Sequence, residues 1–243
     1  KSPFELKDEL KAMKGARWHG FDDPPRKIWT ASNCFRNWFQ LRLLLGEDVF
    51  AWFDRPMQHF GYDRPLMTHQ KDMSDLGLTY HFQIWGAEMG TGKTLSAIEV
   101  IEKSGKQNWF WIGPKSGLYA VEREFKKWGI SDDIDMEIMT YEGLVKRMTN
   151  WPPGQKAPQG VIFDESSRAK NPTAKRTMAA QALADGIRKD WGLDGYVILM
   201  SGTPSPKSPL DWWSQAEIAW PGYLKEGSQG TFGFRLGVYH KET

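Results

Sequence analysis

Cysteine is almost absent. Cys34 is the only one in 243 residues, which excludes an internal disulfide framework and a cysteine-based zinc site and suits a reducing interior. Long apolar runs are missing too. No uninterrupted stretch approaches the roughly twenty residues of a membrane-spanning helix, and no signal-peptide pattern leads the chain. The expectation is a soluble, intracellular protein with no membrane partner. An excess of one charge is also lacking: 32 Lys and Arg stand against 30 Asp and Glu, a formal charge of +2. That balance neither demands nor excludes nucleic acid and leaves the decision to local patches. What is abundant is tryptophan, at thirteen residues. Several lie beside basic or proline residues, as in Lys126-Lys127-Trp128 and Asn150-Trp151-Pro152. Indoles can stack on bases, but core or interface filling is the better reading of most of them.

Texture changes near residue 63. Before it, a charged helix-like start (Phe4 to Lys11) gives way to two short apolar-basic runs, Ala16–Phe21 and Arg26–Thr30, around the turn signal Asp22-Asp23-Pro24-Pro25, which predicts a small hairpin. An apolar helix is expected from Asn33 through Leu45, ended by Gly46. Residues 1–62 therefore read as a small α+β accessory region and residues 63–243 as a second unit.

In that second unit short apolar strands alternate with helices. Strands are expected at Phe82–Trp85, Trp109–Ile112, Met136–Met139, Val161–Phe163 and Val197–Met200, with helices around 95–102, 120–128, 141–148 and 173–183. The alternation predicts an α/β fold with a mostly parallel sheet flanked by helices. Ligands on such sheets sit at the carboxyl ends of the strands. Trp151–Pro158 reads as a surface loop, and the glycine-rich tail after Pro221 has no strong period.

The chemistry starts at Ala87-Glu88-Met89-Gly90-Thr91-Gly92-Lys93-Thr94, between a strand and a helix. A glycine-rich turn opening a helix directs successive backbone N–H groups at one anion. Lys93 adds a point charge and Thr94 a hydroxyl for Mg²⁺, so Met89 to Thr94 form a candidate ATP phosphate cradle. Ala87 stands where the strict pattern has glycine. A second anchor is Val161-Ile162-Phe163-Asp164-Glu165, an apolar strand ending in two carboxylates. Asp164 at such an end can hold Mg²⁺, and Glu165 can orient and deprotonate an attacking water.

These motifs carry a resemblance. The A-x-x-G-x-G-K-T loop resembles that of superfamily-two helicase-like ATPases, and Asp164-Glu165-Ser166-Ser167-Arg168-Ala169-Lys170-Asn171 resembles the D-E-x-H-R-x-K-N segment of the Swi/Snf-type ATPases, which translocate on DNA. Ser167 departs from the histidine that helps couple the nucleotide site to the motor. Leu199-Met200-Ser201-Gly202-Thr203-Pro204 is similar to the third motif, and Pro209–Gln215 to the segment after it. Ile112-Gly113-Pro114-Lys115-Ser116 and Thr140-Tyr141-Glu142 resemble segments that touch the nucleic-acid backbone, and His69-Gln70 sits where the family has an adenine-reading glutamine. Around Arg17–Gly20 and Arg26–Trp29 there is a faint similarity to modules preceding the motor in annealing helicases.

The resemblance implies a RecA-like lobe with ATP and Mg²⁺ as cofactors and DNA, double-stranded by expectation, as partner. Lys93, Asp164 and Glu165 would be catalytic, Gln70 would read adenine, Ser201 and Thr203 would relay the nucleotide state, and Pro114, Lys115, Ser116 and Thr140 would meet DNA. It also implies a second RecA-like lobe that residues 63–243 are too short to contain, so the chain reads as the amino-terminal half of a longer, bacterial or phage-encoded enzyme. Alone it is expected to hydrolyse ATP poorly, because no arginine-bearing sixth motif appears. The competing readings are a one-lobed regulatory module that binds nucleotide or DNA without turnover, and a strand-separating helicase.

Overall fold

The computed structural model describes residues 54–224 and 226–238, together with 10–11, 13, 17–18 and 29–30. The expected hairpin is present as an antiparallel pair, β1 (Arg17–Trp18) and β2 (Trp29–Thr30), with Trp18 opposite Trp29. The helix expected at residues 33–45 lies outside the described residues.

The lobe runs through α1 (Thr68–Tyr80), β3 (Phe82–Gly86), α2 (Lys93–Lys103), β4 (Asn108–Gly113), α3 (Lys115–Trp128), β5 (Asp135–Thr140), α4 (Tyr141–Thr149), β6 (Gly160–Asp164), α5 (Lys175–Trp191), β7 (Tyr196–Ser201), α6 (Asp211–Ala219) and α7 (Gln229–Arg235). All five expected strands form, and they pair in parallel in the order β3-β7-β6-β4-β5. A parallel sheet needs cover on both faces, and strand alternation supplies two separate cores. Phe110, Ile112, Val161, Phe163, Val197 and Leu199 face α4, α5 and α6. Trp109, Trp111, Ile162, Ile198 and Met200 face α2 and α3, with Leu78 of α1. Trp85, Trp109, Trp111, Trp213 and Trp220 are buried, so for them the packing reading of tryptophan holds.

Three helices escape the sequence pattern. α1 buries Gln70, Ser74, Asp75 and Thr79 rather than a hydrophobic stripe, so its period is masked. The reason lies in its partners. Asp75, 3% exposed, receives Phe60 N–H at 3.1 Å, Tyr62 O–H at 2.5 Å and His59 Nδ1 at 2.8 Å. Arg64 continues the attachment, pairing at 2.8 Å with Glu99, 1% exposed, and donating to the carbonyls of Trp128 and Gly129. Residues on both sides of position 63 are thus fastened to the lobe. α6 and α7 lie in the stretch after β7, where Leu210, Trp213 and Phe232 make a small core of their own.

Candidate nucleotide site

β3 passes its chain to α2 on one face of the sheet, whereas its neighbour β7 leads to α6 on the other. Adjacent loops that part to opposite faces open a crevice at the carboxyl ends. The residues singled out in the sequence converge there. The glycine-rich loop follows β3, Ser201 ends β7, and Asp164 ends β6, the three being consecutive in the sheet.

The loop is built as a cradle. Gly90 and Gly92 have φ of 82° and 77°, the left-handed region where a side chain is strained, and Gly92 caps α2 so that Lys93 and Thr94 are its first residues. Lys93 Nζ donates to the carbonyls of Ala87 at 2.7 Å and Glu88 at 2.8 Å, so the loop wraps its own ammonium. Met89 is 82% exposed at the rim. Behind the loop stands Gln70, which is 4% exposed: its Oε1 accepts from Met67 N–H at 2.9 Å and its Nε2 donates to Thr91 O at 3.2 Å. His69 Nε2 meets the same carbonyl at 2.9 Å. A Cβ on Gly92 would lie 2.0 Å from Gln70 Nε2, which shows how tightly the amide braces the turn. In this conformation Gln70 shapes the phosphate loop from behind, a contact the sequence did not indicate.

Asp164 and Glu165 adjoin as expected. Asp164 Oδ1 accepts from Glu165 N–H at 3.0 Å. Burial pushes the Asp164 carboxyl up to about 6, opposed by that hydrogen bond, reinforced by the Glu165 charge and relieved in part by Lys93. A half-buried carboxylate within the field of Lys93 has the chemistry of a magnesium ligand. Among the described residues there is no group of three or more His, Cys, Asp or Glu that would hold a metal alone. Glu165 has φ 50° and ψ 52°, left-handed for a non-glycine residue. Such backbone costs about 1–2 kcal/mol and concentrates at functional sites.

The remaining candidates line the same rim. Gly113 sits against Asp164, its built Cβ being 3.6 Å from the Asp164 Cβ, so the loop of Pro114, Lys115 and Ser116 starts beside the acidic turn. Pro114 is the N-cap of α3, and Lys115 and Ser116 are exposed. Thr140 caps α4 by accepting Gly143 N–H at 2.9 Å. Ser201 is fully buried and its Oγ accepts from Thr203 N–H at 3.1 Å. Gly202 abuts Met89 of the phosphate loop, with 3.0 Å from its built Cβ to Met89 Cγ. The third-motif loop therefore touches the cradle directly.

Comparison with solved structures gives the Sulfolobus solfataricus SWI2/SNF2 ATPase core in complex with dsDNA, with a TM-score of 0.56 and 23% identity over 74% of this chain. The fold of this chain is shared with part of that core. The UvsW helicase from bacteriophage T4 is also similar, with a TM-score of 0.50 and 14% identity, covering 87% of this chain and 89% of that one. Among curated proteins, an 83-residue stretch is 32% identical to the SWI/SNF-related matrix-associated actin-dependent regulator of chromatin subfamily A-like protein 1 of Drosophila melanogaster. The match takes in 30% of this chain and 10% of that protein, and the Sulfolobus match covers 40% of that core. No family model matches the chain. The chain thus spans less than half the length of the Drosophila protein and of the Sulfolobus core, but most of the length of UvsW. Among its described residues no helix is long and apolar enough to cross a membrane.

Proposed function

We propose that residues 63–243 form the ATP-binding half of a DNA-dependent ATPase that translocates on or remodels duplex DNA, with residues 1–62 as an accessory region. The observation that carries this reading is the convergence of three loops at the ends of β3, β7 and β6, with a lysine-bearing cradle near a half-buried aspartate and a strained glutamate. Bound ATP·Mg²⁺ would supply the phosphoanhydride and the cation that neutralises it. Lys93 and the N–H groups from Met89 to Thr94 hold the β and γ phosphates. Asp164 and the Thr94 hydroxyl hold the cation. Glu165 orients and deprotonates the attacking water, its left-handed backbone breaking the strand alternation at Asp164. Gln70 reads the adenine edge once its amide, 4% exposed and held by Met67 and Thr91 here, turns out of that brace. Ser201 and Thr203 relay the nucleotide state.

DNA backbone contact falls to Lys115, Ser116 and Thr140, whose donors suit phosphate rather than base edges, with Pro114, which has no N–H to donate, setting the turn that presents them. A SWI2/SNF2 core solved with dsDNA among the similar folds supports duplex DNA as the partner. A second RecA-like lobe in the longer protein would complete the site with an arginine, worth roughly 10³–10⁵ in turnover in related phosphoryl-transfer enzymes. Calorimetry on this chain tests the central claim. ATP·Mg²⁺ binding is expected in the wild type and lost for the most part in Lys93→Ala, and equal affinity in the two proteins rejects the cradle.

A further inference from the structure

A polar bracket joins the acidic turn to the loop after β7, and none of the roles above uses it. Asp211 and Gln215 stand one turn apart on α6, hence on one face. Gln215 is fully buried: its Oε1 accepts from Ser166 Oγ at 2.7 Å, and its Nε2 donates to the carbonyls of Pro204 at 2.6 Å and Asp211 at 2.9 Å. Ser166, also fully buried, directly follows Glu165. Asp211 repeats the arrangement further out, its Oδ2 receiving Lys170 Nζ and Lys207 N–H, each at 3.1 Å. One helix therefore grips the chain just after the acidic turn at two points, and the third-motif loop at two others.

We infer that Ser166 and Gln215 are positioning residues that couple the acidic turn to the loop Thr203–Ser208, a role that rests on the nucleotide reading above. The amide is a rigid plane with its acceptor end on Ser166 and its donor end on Pro204. Both ends are out of reach of water, so a displacement at Glu165 is followed by the loop or else leaves buried polar atoms unpaired, which is costly. This route bypasses Ser167, the position where the resemblance has its coupling histidine.

Hydrogen exchange read by mass spectrometry, with and without ATP·Mg²⁺, tests it at the amides of Thr203, Ser205, Lys207 and Ser208. In the wild type nucleotide is expected to slow exchange there. The double variant Ser166→Ala/Gln215→Met removes both ends of the Ser166–Gln215 bond together and leaves the Pro204 and Asp211 carbonyls without this donor, and is expected to keep its nucleotide affinity within about twofold while losing the response. Ser166→Ala alone, with the smaller volume change, is expected to lose it as well. A response that survives in either variant while nucleotide binds overturns the coupling role. A wild-type chain that binds no nucleotide in calorimetry overturns the nucleotide reading first and the coupling with it, so the two failures are told apart.

Discussion

Gly92→Ala is the substitution whose cost can be worked most fully from the structure. At φ 77° the new residue pays the left-handed penalty of about 1–2 kcal/mol. Its Cβ would also arrive 2.0 Å from Gln70 Nε2, which has to retreat. Retreat breaks two bonds of a residue only 4% exposed, to Thr91 O and from Met67 N–H, each worth about 1 kcal/mol net. The sum is about 3 kcal/mol, which for a domain of this size lowers Tm by roughly 6–12 °C. Gln70→Ala breaks the same two bonds without strain and is expected to cost about 2 kcal/mol. The double variant has nothing left to collide, so it is expected to cost about 3 rather than 5 kcal/mol, a coupling of about 2 kcal/mol. Denaturant titration of the four proteins measures this cycle. Additive losses would refute the brace between Gln70 and the phosphate loop, as would a Gly92→Ala protein as stable as the wild type.

Glu165→Gln keeps size and hydrogen-bonding capacity but not the base, so in the longer protein with DNA present nucleotide still binds while turnover collapses; near-normal DNA-stimulated hydrolysis would sink the assignment. Burial chiefly, with the Arg55 charge, lowers His81 to about 4 against the opposing pull of the Leu193 carbonyl. Its neutral form is the one folded, so the unfolded chain takes up the proton first and stability present above pH 6.5 is lost as pH falls toward 4, by up to about 3 kcal/mol. Asparagine, which tolerates the positive φ at this position, is expected to flatten that stretch of the stability-against-pH curve, and an unchanged slope in His81→Asn would contradict the cause. Arg64→Met strands Glu99 as an unpaired charge at 1% exposure and is expected to cost about 3–5 kcal/mol, with Arg64→Met/Glu99→Met recovering a large share. Equal loss in both variants would show that the carbonyl contacts of Arg64 matter more than the ion pair.

Strand positions were legible in the sequence because apolar runs such as Tyr196–Ser201 and Gly160–Asp164 are buried on both faces and bounded by turn residues. The glycine-rich turn after β3 was legible for a related reason: a positive φ at Gly90 and Gly92 is a local demand that glycine meets by itself. What the chain could not disclose locally was α1. Its buried side are Gln70, Ser74, Asp75 and Thr79, polar residues that go inside because partners 13 to 22 positions away satisfy them. The same holds for Ser166 and Gln215, 49 positions apart, each an ordinary polar letter until the sheet order sets β6 beside β7 and α6 closes over both. Residue types and their spacing thus determined the elements and the chemistry at the strand ends. Only the tertiary structure decided which buried polar groups face one another, because a hydrogen bond across the fold leaves no periodicity in the chain.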